Sequence, residues 1–121
     1  MLKLDHLAIP VSNWTASRDW YVQTLGLRVE FQVAEHKTAA VQDEHDFTLF
    51  LAEGPVPSVP GAIALYFQVQ DVSKSHQVLS ERGVRFNHPP QKVFWGFGAE
   101  LLDPDGYVIR LWDERSMKSA E

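Results

Sequence analysis

The sequence repeats one order of elements, and this repeat is the feature that most limits the folds open to the chain. An alternating segment at residues 4–11, LDHLAIPV, is followed by a helical segment that stops near Gly26. A second alternating segment at residues 62–69, AIALYFQV, is followed by a helical segment that stops near Gly83. Three strand-like runs follow each helix. The chain therefore predicts an α+β fold of two tandem βαβββ modules.

Short sequence signals predict where the helices begin and which side they bury. Ser12 or Asn13 is expected to cap the first helix, and Asp71 the second, because short polar side chains accept from free backbone N–H groups. Glycine at positions 26 and 83 suits the left-handed residue that ends a helix. In the first helix, the predicted buried stripe consists of Ala16, Trp20 and Tyr21.

The segment GPVPSVPG, residues 54–61, holds three prolines and two glycines and predicts a linker. We therefore expect one domain over residues 1–121, with modules at about 1–53 and 62–114 and a frayed tail at 115–121. NHPP, residues 87–90, is expected to form a loop.

Composition limits the partners and the compartment. The net charge is −5 and no basic cluster is present, which argues against nucleic acid as a partner. The chain has no cysteine, so it has neither disulfides nor thiol chemistry. It has no apolar run long enough for a membrane span and no signal-peptide pattern. A cytoplasmic protein without membrane partners is expected.

Short motifs near both ends of the chain carry a family resemblance. LDHLAIPVSN and SRDWYVQTLGL near the start, with WG and LLDPDGYVIRL near the end, resemble the vicinal oxygen chelate superfamily. This superfamily includes glyoxalase I, extradiol dioxygenases, fosfomycin-resistance enzymes and bleomycin-resistance proteins. The resemblance implies that the strands form a half-open barrel with helices on the convex side and a small organic ligand in the concave cavity. It also implies a homodimer, since a twofold partner often completes the cavity.

The resemblance assigns four metal-ligand positions, which in the family's metalloenzymes carry His and Glu. In this sequence they fall on His6, Phe50, Ala64 and Arg110. Only His6 is a ligand residue, whereas Phe50 and Ala64 offer no donor atom and Arg110 is a permanent cation. Glu100 and His45 lack the spacing to rebuild the site. We therefore expect neither a metal nor another cofactor. In this respect the chain is closest in character to the bleomycin-resistance-like members of the superfamily.

The expected ligand-binding residues lie on the strand faces that look into the cavity. Arg110 is expected there because Ile109 and Leu111 alternate with it on the opposite face. Two interpretations of Arg110 stay open: a clamp for a carboxylate or phosphate, and a structural ion pair with Glu100. His6 is either a ligand contact or an inherited residue with a local hydrogen bond. The full set of expected ligand-binding residues is His6, Phe50, Tyr66, Trp95, Glu100, Arg110 and Trp112.

Three functions remain open from sequence. The first is a metal-free binding protein for an aromatic or drug-like molecule, favoured because aromatic walls with few polar groups suit a flat ligand. The second is a metal-independent enzyme that uses His6, Glu100 or Tyr66 as acid or base. The third is a metal-dependent lyase or dioxygenase with a displaced site. The residues that would catalyse a reaction, and the ligand itself, are not readable from the sequence.

Overall fold

The structure is a computed structural model that describes residues 1–59, 61–94 and 96–116. Its contacts divide the chain into two compact units, and the division falls between Ser58 and Val59. Each unit is one sheet with helical cover. Trp95, which was expected to contact the ligand, and most of the expected frayed tail lie outside the described residues.

The first unit is a four-stranded sheet with one long helix. The strands lie in the order β1-β4-β3-β2, with β1 parallel to β4 and the other pairs antiparallel. A single 3-10 turn at Ala34–His36, which the sequence did not predict, connects β2 to β3. The elements are β1 His6–Val11, α1 Trp14–Gln23, β2 Arg28–Val33, β3 Thr38–Gln42 and β4 Thr48–Glu53.

The second unit repeats this topology. Its sheet has the order β5-β8-β7-β6, and β5 is again parallel to the last strand of the unit. The elements are β5 Ala64–Gln68, α2 Val72–Glu81, β6 Phe86–Val93, β7 Gly96–Leu102 and β8 Val108–Trp112. Both sheets are open. The two tandem βαβββ modules confirm the fold class predicted from the repeat.

Strand register makes the two modules equivalent residue by residue. His6 is opposite Thr48 in the first sheet, and Ala64 is opposite Val108 in the second. Two residues further along the last strand of each module stand Phe50 and Arg110. These two residues therefore occupy matching positions of the repeat.

Both long helices begin at the cap residues that the sequence indicates, and each is followed within three residues by its predicted glycine. The side chains of Asn13 and Asp71 accept from the backbone N–H of Ala16 and Lys74, at 3.0 and 3.1 Å. Gly26 and Gly83 have φ of +81° and +86°, a conformation that side chains disfavour. Chain reversal after each helix therefore depends on these two glycines.

The buried stripe of α1 differs from the prediction. Ser17 and Tyr21 are the buried residues, whereas Trp20 is half-buried and Ala16 is exposed. Residues 17 and 21 are four apart and share one helix face, so the stripe is displaced by one residue. Trp20 packs edge-on against Tyr21, with ring centroids 5.0 Å apart. The large indole of Trp20 was a poor predictor of the buried face, because tryptophan side chains are often largely but rarely fully buried.

NHPP is part of a strand, which corrects the predicted loop. β6 runs through these residues, and its register against β7 shifts between His88 and Gln91, where the two prolines stand. Among the described residues β6 is hydrogen-bonded to one neighbour, β7, so prolines are tolerated there without removing a hydrogen bond from a central ladder.

One face of each sheet forms the core. In the two central strands of each sheet, most residues that alternate toward this face are almost fully excluded from water. α1 packs against β2, β3 and β4, and α2 against β6 and β7. In the described residues, no helix is long and apolar enough to cross a membrane. The core residues of the sheets are Ile9, Val11, Ala39, Val41, Leu49 and Leu51 in the first unit and Ala99, Leu101, Ile109 and Leu111 in the second.

Candidate functional site

The first sheet carries an aromatic cluster on the face opposite its core. The imidazole of His6 stacks on the ring of Phe50, with centroids 4.0 Å apart and an interplanar angle of 16°. Phe31 meets the same ring edge-on at 5.5 Å and remains 43% exposed. Ala40 lies between Phe31 and Phe50 in the strand register, and its small side chain leaves the space that the rings fill. The result is a partly open aromatic surface.

A polar row borders this aromatic cluster. Gln42 donates to the hydroxyl of Thr48 at 3.0 Å, and Thr48 donates to a carboxylate oxygen of Glu30 at 2.8 Å. Arg28 donates to the side-chain oxygens of Gln42 and Asp46. Nδ1 of His6 is 2.9 Å from Oδ2 of Asp5, the local hydrogen bond that the sequence left open. This face thus combines aromatic rings with hydrogen-bonding groups.

The second sheet carries Arg110 on the matching face. Its Nε donates to Oε1 of Glu100 at 2.9 Å, and its NH1 donates to the hydroxyl of Tyr66. The side chains of Arg110 and Glu100 are only 21% and 19% exposed. The ion pair with Glu100, one of the two interpretations open from sequence, is therefore present, and it balances the charge of the guanidinium.

Neighbouring groups fix this ion pair. Burial opposes ionisation of Glu100, but hydrogen bonds from Asn87 and Arg110 and the positive charge of Arg110 outweigh it, so the pKa of Glu100 lies below its usual value. The hydrogen bond to Glu100 raises the pKa of Arg110. The guanidinium also lies near two rings, 5.3 Å from the centroid of Tyr66 and 5.9 Å from that of Phe94. Both groups therefore stay charged at neutral pH.

The expected site residues form two groups. His6 and Phe50 are in contact in the first unit, and Tyr66, Glu100 and Arg110 are in contact in the second. Trp112 is half-buried, shares the face of Arg110 two residues further along β8, and is opposite Gln68 and Gly98. The sequence missed Phe31, Glu30, Asn87 and Phe94 as members of these surfaces.

The donor set at the family's four metal positions does not fit a divalent metal. The ring of His6 is stacked on Phe50, Ala64 has no donor atom, and Arg110 is a cation paired with Glu100. Across the residues that the structure describes, no three His, Cys, Asp or Glu side chains are grouped in a way that could hold a metal ion.

A surface pocket of the second unit lies at the start of α2. Its lining includes Asp71, Lys74 and Arg115. Asp71 already caps the helix and is 3.5 Å from Arg115, so its charge is used within the fold. This pocket shares no residue with the groups around Phe50 and Arg110.

The sequence matches one known protein family. The family described as Glyoxalase/Bleomycin resistance protein/Dioxygenase superfamily covers residues 3–111, nearly the whole chain. No curated protein sequence matches the chain.

Similar solved structures agree with this match. TnmS3, an antibiotic binding protein from Streptomyces sp. CB03234, is 31% identical over 93% of this chain and 96% of its own, with a TM-score of 0.77. A superfamily member from Sphaerobacter thermophilus DSM 20745 is 28% identical over 94% and 99%, with a TM-score of 0.78. A glyoxalase/bleomycin resistance protein from Streptomyces sp. CB03234 is 33% identical over 87% and 95%, with a TM-score of 0.67.

Proposed function

The chain belongs to the Glyoxalase/Bleomycin resistance protein/Dioxygenase superfamily, and we propose that it is a metal-free protein of the bleomycin-resistance type that binds an aromatic or drug-like molecule. Family membership alone does not choose between binding and catalysis, because one fold carries many activities. The likeness to TnmS3, which is described as an antibiotic binding protein, supports the choice of binding.

The aromatic cluster of the first sheet is the observation that carries this proposal. His6, Phe31 and Phe50 present ring surface on the face opposite the core, where a plain structural sheet would be expected to carry small polar side chains. Rings of this kind bind flat ligands by stacking and by removing apolar surface from water. Ligand-binding surfaces combine such walls with a few placed polar groups, as this one does.

Arg110 has a more limited role in this proposal than an anion clamp. Its charge is already balanced by Glu100, so a carboxylate or phosphate would have to compete with a resident partner. We propose instead that the planar guanidinium, set near Tyr66 and Phe94, is a flat wall of a ligand surface on the second sheet, with Trp112 beside it.

The test of the function is calorimetric titration with acridine, a planar ring system that is uncharged in neutral buffer. Saturable binding of one molecule for each site supports the proposal. Absence of binding by any planar aromatic molecule in a broader panel, antibiotics included, would overturn it.

Arg110→Ala is expected to weaken acridine binding about fivefold, because the ligand loses a flat wall and Glu100 loses its partner. Arg110→Lys should recover only part of the affinity, since an ammonium does not reproduce the planar group. The matched control is Arg82→Ala at the end of α2, which removes the same charge and should leave binding unchanged. Equal affinities of wild type and Arg110→Ala for acridine would show that Arg110 does not contribute to ligand binding.

We propose that the protein acts as an isologous homodimer in the cytoplasm. Large apolar side chains on the described surface support self-association, among them Phe31, Tyr66 and Phe94, the last being 91% exposed. Sedimentation at tens of micromolar should give twice the chain mass of 13.8 kDa. A species with the mass of one chain under those conditions would refute the dimer.

A further inference from the structure

A bulge in β2 places a carboxylate beside the aromatic cluster, and we propose that Glu30 makes this face select planar ligands that carry a positive charge. The inference rests on the proposed function, because it assigns the ligand's charge for the same surface. It gives a role to a residue that neither the family motifs nor strand alternation singles out.

The bulge turns the side chain of Phe31 toward the same face as Glu30. Val29 is opposite Val41, a core residue, whereas Phe31 is opposite Ala40, and the register shifts between them. Glu30 is therefore the extra residue of the bulge. Its Oε2 accepts from Thr48 at 2.8 Å, and Phe31 meets Phe50. Two consecutive residues thus place a carboxylate and a ring on one face, which a regular strand would not allow.

No cationic side chain in the described ranges pairs with Glu30. Arg28, two residues earlier on the same strand, donates to Gln42 and to Asp46, the latter at 3.2 Å. The imidazole of His6, across the aromatic cluster, pairs with Asp5. The carboxylate of Glu30 receives one hydrogen bond, from a neutral hydroxyl, so its charge is not balanced locally.

This charge and the rings favour the same class of ligand. The face of an aromatic ring attracts a cation, and a carboxylate next to the ring adds a direct charge interaction. The protein's net charge of −5 also opposes the approach of anions. A quaternary or protonated nitrogen within or beside a planar ring system satisfies both groups, whereas a carboxylate on the ligand would face Glu30.

The test compares N-methylacridinium with acridine, which share one ring system and differ in charge. We expect wild type to bind the cation more tightly, and Glu30→Gln to reduce affinity for N-methylacridinium about fivefold more than affinity for acridine. Glutamine keeps an acceptor for Thr48, so the surface itself should persist. Added salt should reduce the preference for the cation in wild type but not in the variant.

Glu35→Gln, in the 3-10 turn, is the control because it removes the same charge outside the sheet face. It should leave the preference for the cation intact. Equal binding of both probes by wild type, with no effect of Glu30→Gln, would overturn this inference and leave the proposed function standing. Binding of neither probe would overturn this inference, and the broader panel of planar aromatic molecules would then decide the proposed function.

Discussion

Asp113→Ala is expected to lower the free energy of unfolding by about 3 kcal/mol, because it leaves the buried backbone donor of Val72 and the half-buried donor of Ser116 without their partner. The Asp113 side chain is 1% exposed and accepts from the N–H groups of Val72 and Ser116 at 2.6 and 2.5 Å. Val72 is the first residue of α2, so the carboxylate connects the end of β8 to the start of that helix. Urea denaturation at neutral pH measures the loss.

The pH dependence gives this prediction a second readout. Burial opposes ionisation of Asp113, but the hydrogen bonds from Val72 and Ser116 outweigh it and hold its pKa below the usual value. A carboxyl group with a lowered pKa stabilises the fold above the ordinary aspartate pKa of about 3.9, and this contribution is lost as pH falls toward the lowered value. The difference between wild type and variant should therefore shrink in acid.

Glu114→Gln is the control for Asp113, since it neutralises the adjacent carboxylate, which is exposed. It should change stability by no more than about 0.5 kcal/mol. A similarly small effect of Asp113→Ala at neutral pH would contradict the role assigned to Asp113.

Phe50→Ala is expected to weaken acridine binding about thirtyfold, equivalent to about 2 kcal/mol, because Phe50 is the central ring of the cluster. Its ring contacts both His6 and Phe31, so its removal separates the two remaining rings. Calorimetric titration of the variant gives the change, and far-ultraviolet circular dichroism checks that the sheet is retained.

Phe47→Ala is the matched control, because Phe47 is 41% exposed and precedes β4 outside the aromatic cluster. It removes the same ring from the surface and should leave binding within about twofold of wild type. If Phe50→Ala and Phe47→Ala behave alike, the face that carries His6 and Phe50 is not the binding surface.

The fold could be predicted from sequence because its signals are local and occur twice. Alternating segments and glycines at positions 26 and 83 specify where strands and helices begin and end, whatever the rest of the chain does. The motifs around His6 and Arg110 fixed the register of the first and last strands, whereas the stretch around Phe50 has no such motif, and the strand register shows that Phe50 and Arg110 occupy matching positions. Alternation in β8 was sufficient to separate Arg110 from buried Ile109 and Leu111.

Sequence patterns failed where a neighbouring strand or helix decides the outcome. Pro89 and Pro90 fit into β6 because that strand has one neighbour, a fact set by strand order. The buried face of α1 depends on how the helix is rotated against the sheet. Packing determines this rotation more than the hydrophobicity of single residues, so Ser17 is buried and Trp20 is half-buried.

The sequence by itself determined the repeat and the order of the long helices and strands, because both depend on residue identity at fixed spacing. Only the tertiary structure decided that Arg110 is held by Glu100 and Tyr66, and that Glu30 lies beside Phe31 on the same face. The first depends on which residues the strand register places opposite each other. The position of Glu30 beside Phe31 depends on one extra residue in β2, which reverses the direction that alternation assigns to the side chain of Phe31.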